Sequence, residues 1–137
     1  MAFDVMSEAV SETATLDLDK ADGEPMFGDG DKRCSITLYG PASDEFAAMQ
    51  ARQRKRSRER LSKGKTDVAA ETQKRESAED LASITKSFNH FTFPGEFKSQ
   101  GEMFEACYLE RKVGFIADQA NMFVSDWGNF SGASAKK

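Results

Sequence analysis

The chain has 137 residues, 39% hydrophobic and 31% charged, with a formal net charge of −4. That length suits one domain with a modest core and leaves little room for a deep enzymatic cavity. No apolar run approaches the roughly 18–20 residues of a membrane span, and the opening MAFDVMSEAV lacks the basic and apolar regions of a secretory leader, so the expectation is a cytoplasmic protein.

The charge is segregated along the chain. Residues 1–46 carry 11 acids and 3 bases, residues 47–65 carry 8 bases and 1 acid, and residues 66–137 carry 11 acids and 8 bases. A basic segment between acidic flanks can pair with its own chain or with an external polyanion. Cys34 and Cys107 are too few and too far apart for a metal motif or a disulfide framework. Reduced thiols are expected, with a single bridge as the alternative.

Residues 1–12 carry no strong pattern and read as a flexible N-terminus. TATLDL (13–18) alternates, placing Leu16 and Leu18 on one face, which is the period of a strand. DKADGEP and GDGDK are turn chemistry. CSITLYG (34–40) is rich in β-branched and aromatic residues and reads as a second strand. The two predict a β-hairpin over 13–40, irregular around Pro25–Met26–Phe27.

Gly40–Pro41 breaks the sheet, Ser43 is a good N-cap, and Asp44 and Glu45 favour the positive end of a helix dipole. A helix over 43–63 follows. It carries the run ARQRKRSRERLSKGK (51–65), and after Met49 it shows no large apolar side chain until Leu61. Such a helix cannot be buried over that length. Its basic residues Arg52, Arg54, Lys55, Arg56, Arg58 and Arg60 spread around most of the circumference at 100° per residue. Two readings follow: a solvated or protein-contacting helix, which the spread favours, or a phosphate-contacting nucleic-acid element.

Residues 64–76 are polar and read as linker or solvated helix. Ser77 and Asp80 resemble a capping box before a stripe of Leu81, Ile84, Phe88 and Phe91, which predicts a helix across those positions. TFPGEF (92–97) is a loop, and Ser99 with Glu102 is a second capping box ahead of Met103, Phe104, Cys107 and Tyr108. Val113, Ile116, Ala120, Phe123 and Trp127, spaced 3, 4, 3, 4, predict a helix stopped by Gly128. SGASAKK (131–137) reads as a flexible tail. The expected fold is α+β, mainly α: a hairpin, a long basic helix, then a helical core over 77–130 with three amphipathic helices, all in one domain over 13–130.

Catalytic chemistry is thinly represented. His90 is the one histidine and has neither a nucleophile nor an acid beside it in sequence. GDGDKR has no phosphate-loop lysine followed by a helix and no calcium-loop spacing. The chain therefore reads as a non-enzyme without metal or cofactor. Eight of its eleven phenylalanines lie between Phe88 and Phe130, more than three short helices hide easily beside Trp127 and Tyr108. Surplus apolar surface of that kind marks a protein partner or self-association.

The order SITLYGPASDEF, then a basic helix, then FIADQANMFVSDWGNF with a polar tail, resembles the tail assembly chaperones of tailed bacteriophages over about residues 13–130. The resemblance implies a host-cytoplasmic, late-made assembly factor, absent from the virion. It would keep the long tape-measure protein soluble while tail-tube subunits polymerise around it. It also implies a longer form made by ribosomal frameshifting that recruits the tube protein. The residues expected to meet the tape measure are Phe115, Ile116, Met122, Phe123 and Trp127. The competing readings are a nucleic-acid-binding accessory protein using residues 51–65 and a structural head–tail or tail component.

Overall fold

A computed structural model describes residues 2–65 and 67–131. The hairpin forms as its alternation predicts. β1 (Thr13–Asp17) runs antiparallel to β2 (Ser35–Tyr39), with Thr13 opposite Tyr39 and Asp17 opposite Ser35. Between them the chain wanders through short bridges, Asp19 to Pro25 and Phe27 to Arg33, with a 3-10 turn at Asp29–Asp31. Leu18, Ile36 and Leu38 are fully buried on the core face. The other face carries a polar ladder in which Thr15 bonds Thr37 and Asn89 donates to Ser35 and Thr37.

α1 (Asp44–Ser62) starts where Ser43 accepts from the Phe46 N–H at 3.1 Å. Only its first turns reach the core, through buried Met49 and half-buried Phe46. α2 (Ala70–Ser83) begins eight residues before the position that the Ser77–Asp80 pattern suggested, so Ser77 and Asp80 lie inside it and the polar stretch 70–76 is solvated helix.

The largest departure from expectation follows. The stripe Leu81, Ile84, Phe88, Phe91 does not continue as helix; α2 stops and Thr85–Asn89 forms β3, antiparallel to β2, in a sheet ordered β1-β2-β3. Without it the outer edge of β2 would leave its backbone groups without sheet partners. The turn is fixed by Thr85, whose hydroxyl donates to the Leu81 carbonyl and bonds the Tyr108 hydroxyl at 2.7 Å. Leu81 and Ile84 then enter the core from a helix and Phe88 from a strand. Phe88 packs its ring on Phe91 and Phe104, at 4.5 Å centroid distance in each case.

α3 (Gln100–Leu109) carries the predicted cap, Ser99 accepting from the Glu102 N–H at 3.2 Å. α4 spans Gly114–Val124 and ends short of Trp127, which falls in a 3-10 turn, Trp127–Phe130. Three side chains compete for the end of the helix. Ser125 donates back to the Asn121 carbonyl, Asp126 accepts from the Gly128 N–H, and Asn129 donates to the Phe123 carbonyl. The early stop lets Phe130 turn inward, where it is completely buried. Its ring lies against Gly40 so closely that a Cβ there would sit 2.4 Å from ring carbons. The SITLYG strand end and the WGNF turn are thus two halves of one joint.

The fold is α+β, mainly α, as expected, with one strand more than the hairpin. Residues 1–12 are not featureless: Val5–Glu8 forms a 3-10 turn. The tail expected over 131–137 lies outside the described residues from 132 onward.

Candidate partner-binding surfaces

Three surfaces collect the residues singled out from the sequence. The first is an apolar groove of about 480 Å³ between the loop after β3 and the start of α4, lined by Met26, Phe91, Phe93, Pro94, Val113 and Phe115, with Cys107 and Ile116 at its base. Each element reaches it for a local reason. Gly95 adopts φ 138°, which lets Phe97 fold back on Phe93 at 6.3 Å and hold that ring at the groove wall. The 3-10 turn Arg111–Val113 re-aims the chain between α3 and α4, so Val113 and Phe115 face the same opening. Glu110 and Lys112 stand at its rim, both exposed. Burial pushes the Cys107 thiol up to about 11, so the sulfur at the base is a neutral apolar group at physiological pH.

Of the expected contact residues, Phe115 lies in the wall of this groove and Ile116 reaches it only as part of its buried floor. Ile116 is 5% exposed and belongs to the core, because it points from α4 to the interior, away from the solvent face that carries Met122. Phe123 is half-buried with its ring 5.5 Å from that of Phe130. It borders a second, shallower depression of about 370 Å³ with Leu16, Met122 and Asn129. Met122 and Trp127 are the exposed members, at 76% and 58%. The five residues therefore divide among groove, core and outer edge. Phe91, Phe93 and Met26 were missed as site residues. Phe91 belongs to the stripe whose spacing predicts a helix, and nothing in the local pattern ties the hairpin excursion at Met26 to the loop after Asn89.

The third surface is the α1–α2 pair. Arg52, Arg56 and Arg60 repeat every four residues and fall on one side of α1. That side faces α2. Arg52 donates to Asp80 at 3.3 Å and to Ser83 at 2.9 Å, Arg56 pairs with Asp80 and Glu76, and Arg60 pairs with Glu76. Gln53 adds a bond to Asp80 at 3.1 Å. The hydrogen bond from Arg60, with Arg56 beside it, holds the Glu76 carboxyl below the usual carboxylate range. Burial works against the Arg56 charge, but Asp80 and Glu76 outweigh it and the guanidinium is held more firmly protonated. Half of the six cations are thus committed within the chain. Arg54, Lys55 and Arg58 are exposed and have no ion-pair partner among the described residues.

His90 is exposed, at φ 66° in the turn after β3, and its carbonyl accepts from the Cys34 thiol at 3.6 Å. Both cysteines are buried and unpaired. Among the described residues no three His, Cys, Asp or Glu side chains gather as a metal site, and no helix is long and apolar enough to cross a membrane.

Fold and surfaces together define a small α+β protein with an open apolar groove and a cationic helix half neutralised by its neighbour. Comparison with family models, with curated proteins and with solved structures finds no match.

Proposed function

We propose that this protein is a tail assembly chaperone of a tailed bacteriophage, a binding protein and not an enzyme, whose client is the tape-measure protein. The observation that carries the reading is the groove walled by Phe91, Phe93, Pro94, Val113 and Phe115. An apolar trough with a charged rim suits the apolar stripe of a long amphipathic helix. A tape-measure chain presents such stripes along its length and would aggregate if they stayed bare. Met122 and Trp127, exposed on the outer side of α4 and the turn after it, extend the apolar surface that the client can cover. The charged α1–α2 pair gives the complex a solvated flank. The segment order that resembles these chaperones runs through the joint of Gly40 and Phe130, which sets the position of α4 and hence of the groove.

The test is co-expression with the longest open reading frame downstream of the gene. The expected result is that the long protein is soluble and co-purifies only with this chain, and that Phe93→Asp with Phe115→Asp lowers its soluble recovery about tenfold or more, as loss of two central aromatic anchors would. Circular dichroism of the double variant checks that the fold survives. A long protein equally soluble alone, with nothing co-eluting, would refute the reading.

A second reading, nucleic-acid binding, rests on Arg54, Lys55 and Arg58 standing unpaired on the outer side of α1. It keeps three of the six cations that α1 carries.

A further inference from the structure

We propose that the N-terminal segment of one copy docks in the groove of a second copy, so that the protein associates head to tail. Phe3, Val5 and Met6 are 72%, 71% and 71% exposed, three large apolar side chains within four residues that stand largely open to solvent. They are not on a loose strand. Asp4 accepts from the Met6 N–H at 3.0 Å and starts the 3-10 turn Val5–Glu8, which presents the three side chains as a preformed knob. A preorganised apolar knob loses less conformational entropy on docking than a free chain.

The groove that matches it lies at the other end of the sheet. The segment leaves the sheet beside Tyr39, tied by the Ser11 N–H to the Phe130 carbonyl and by the Gly40 N–H to the Glu12 carbonyl. The groove opens beyond Ser35 and Asn89, where Met26 and Phe91 continue from the opposite strand ends. The anchor of the knob and the socket therefore lie at opposite ends of the sheet, an arrangement that suits a heterologous contact extending from copy to copy. Charge agrees with apolar fit. The knob carries Asp4 and Glu8 and no basic side chain, while the exposed run Glu110, Arg111 and Lys112 at and beside the groove rim carries one cation in excess. Three side chains bury far less than the ~1,200 Å² of a stable interface, so the association is weak and reversible. It concerns the chain alone and holds whatever client the groove also accepts. A client helix would displace the knob.

The experiment is sedimentation velocity of the full chain from about 5 to about 500 µM, which brackets the affinity of a small interface. Wild type is expected to grow in mass with concentration, by successive addition. Phe3→Ser with Met6→Ser alters only exposed side chains, and Arg111→Glu with Lys112→Glu reverses the charge beside the groove without touching the core. Each double variant alone is expected to remain a monomer. Mixed, they should give one species of two chains and no larger, since one copy keeps its socket and the other its knob. A wild type of constant mass would overturn the proposal, whether the knob folds back on its own chain or the groove serves only other occupants. Variants that associate like wild type, or a mixture that stays monomeric, would overturn it equally.

Discussion

Asp80 anchors the long basic helix to the body, and its removal tests that account directly. The carboxylate is 8% exposed and takes bonds from Arg52 at 3.3 Å, from Gln53 at 3.1 Å and from Arg56. A charge-assisted bond is worth roughly 1.5–3 kcal/mol when shielded, and an exposed one under about 1 kcal/mol. Arg56, 21% exposed, belongs near the lower end of the first range, and Arg52, 42% exposed, belongs to the second. With about 1 kcal/mol for the amide bond, the gross loss in Asp80→Ala is about 3 kcal/mol. The arginines regain water when the partner goes, which returns about a third, leaving about 2 kcal/mol. For a chain of this size that is a fall of roughly 8 °C in Tm. Urea titrations followed by circular dichroism give the number, and Arg54→Ala, with no partner to lose, should stay within about 0.5 kcal/mol of wild type. If Asp80→Ala were as stable as wild type, or Arg54→Ala as damaging as Asp80→Ala, the assignment of one arginine face to α2 would be wrong.

Three further outcomes follow from packing and ionisation. Gly40→Ala forces a methyl into the Phe130 ring and should cost about 1–3 kcal/mol, whereas the same change in a Phe130→Leu background should cost clearly less; a double-mutant cycle in urea reads the coupling. Burial first, then Glu79 and Glu102, raise the Glu105 carboxyl above its ordinary value of 4.5, so its ionised form weighs against the fold at neutral pH. Because the folded value lies above the unfolded one, that penalty is full at pH 7 and disappears below 4.5; Glu105→Gln should be more stable than wild type at pH 7 and no different at pH 4, by thermal melts at both. Cys34 and Cys107 are buried with thiols pushed up, so neither should react with a thiol reagent at pH 8 until denaturant is added, when two should appear by absorbance.

Where one face of an element decides its fate, the sequence is a sufficient guide. Leu16, Leu18, Ile36 and Leu38 alternate because a single face of the hairpin is buried, and the period survives into the structure. The caps at Ser43 and Ser99 are local hydrogen bonds and were legible for the same reason. Residues 84–91 were misread because 3, 4, 3 spacing also fits a helix that hands its apolar face to a strand. The deciding force is the open edge of β2, which ends 46 residues before Thr85 in sequence. The groove was half legible. The surplus of aromatics predicted apolar surface, but its walls come from a hairpin excursion, a loop and a helix start, and no periodicity joins Met26 to Phe93 and Phe115. The arginine run was legible as charge and not as pairing. Every fourth arginine finds an acid on α2 only because Glu76 and Asp80 are themselves four residues apart.

That pairing sets a ceiling on what α1 can do with nucleic acid. Each phosphate neutralised on a duplex releases counterions and adds about 0.9 to the slope of log affinity against log salt. All six cations would give a slope near −5 and an affinity loss of more than a thousandfold between about 50 and 200 mM salt. Arg54, Lys55 and Arg58 alone give a slope near −3 and a loss of a few tens of fold. The net charge of −4 opposes approach at every salt concentration. The expected result of a filter-binding titration is weak, sequence-indifferent binding with a slope no steeper than about −3, abolished by Arg54→Glu with Arg58→Glu. A slope near −5 would mean that duplex displaces Glu76 and Asp80 from their arginines. Asp80→Ala would then bind more tightly than wild type, by freeing Arg52 and Arg56 in advance, and the same variant that measures the stability of the helix pair would show which use of the basic helix prevails.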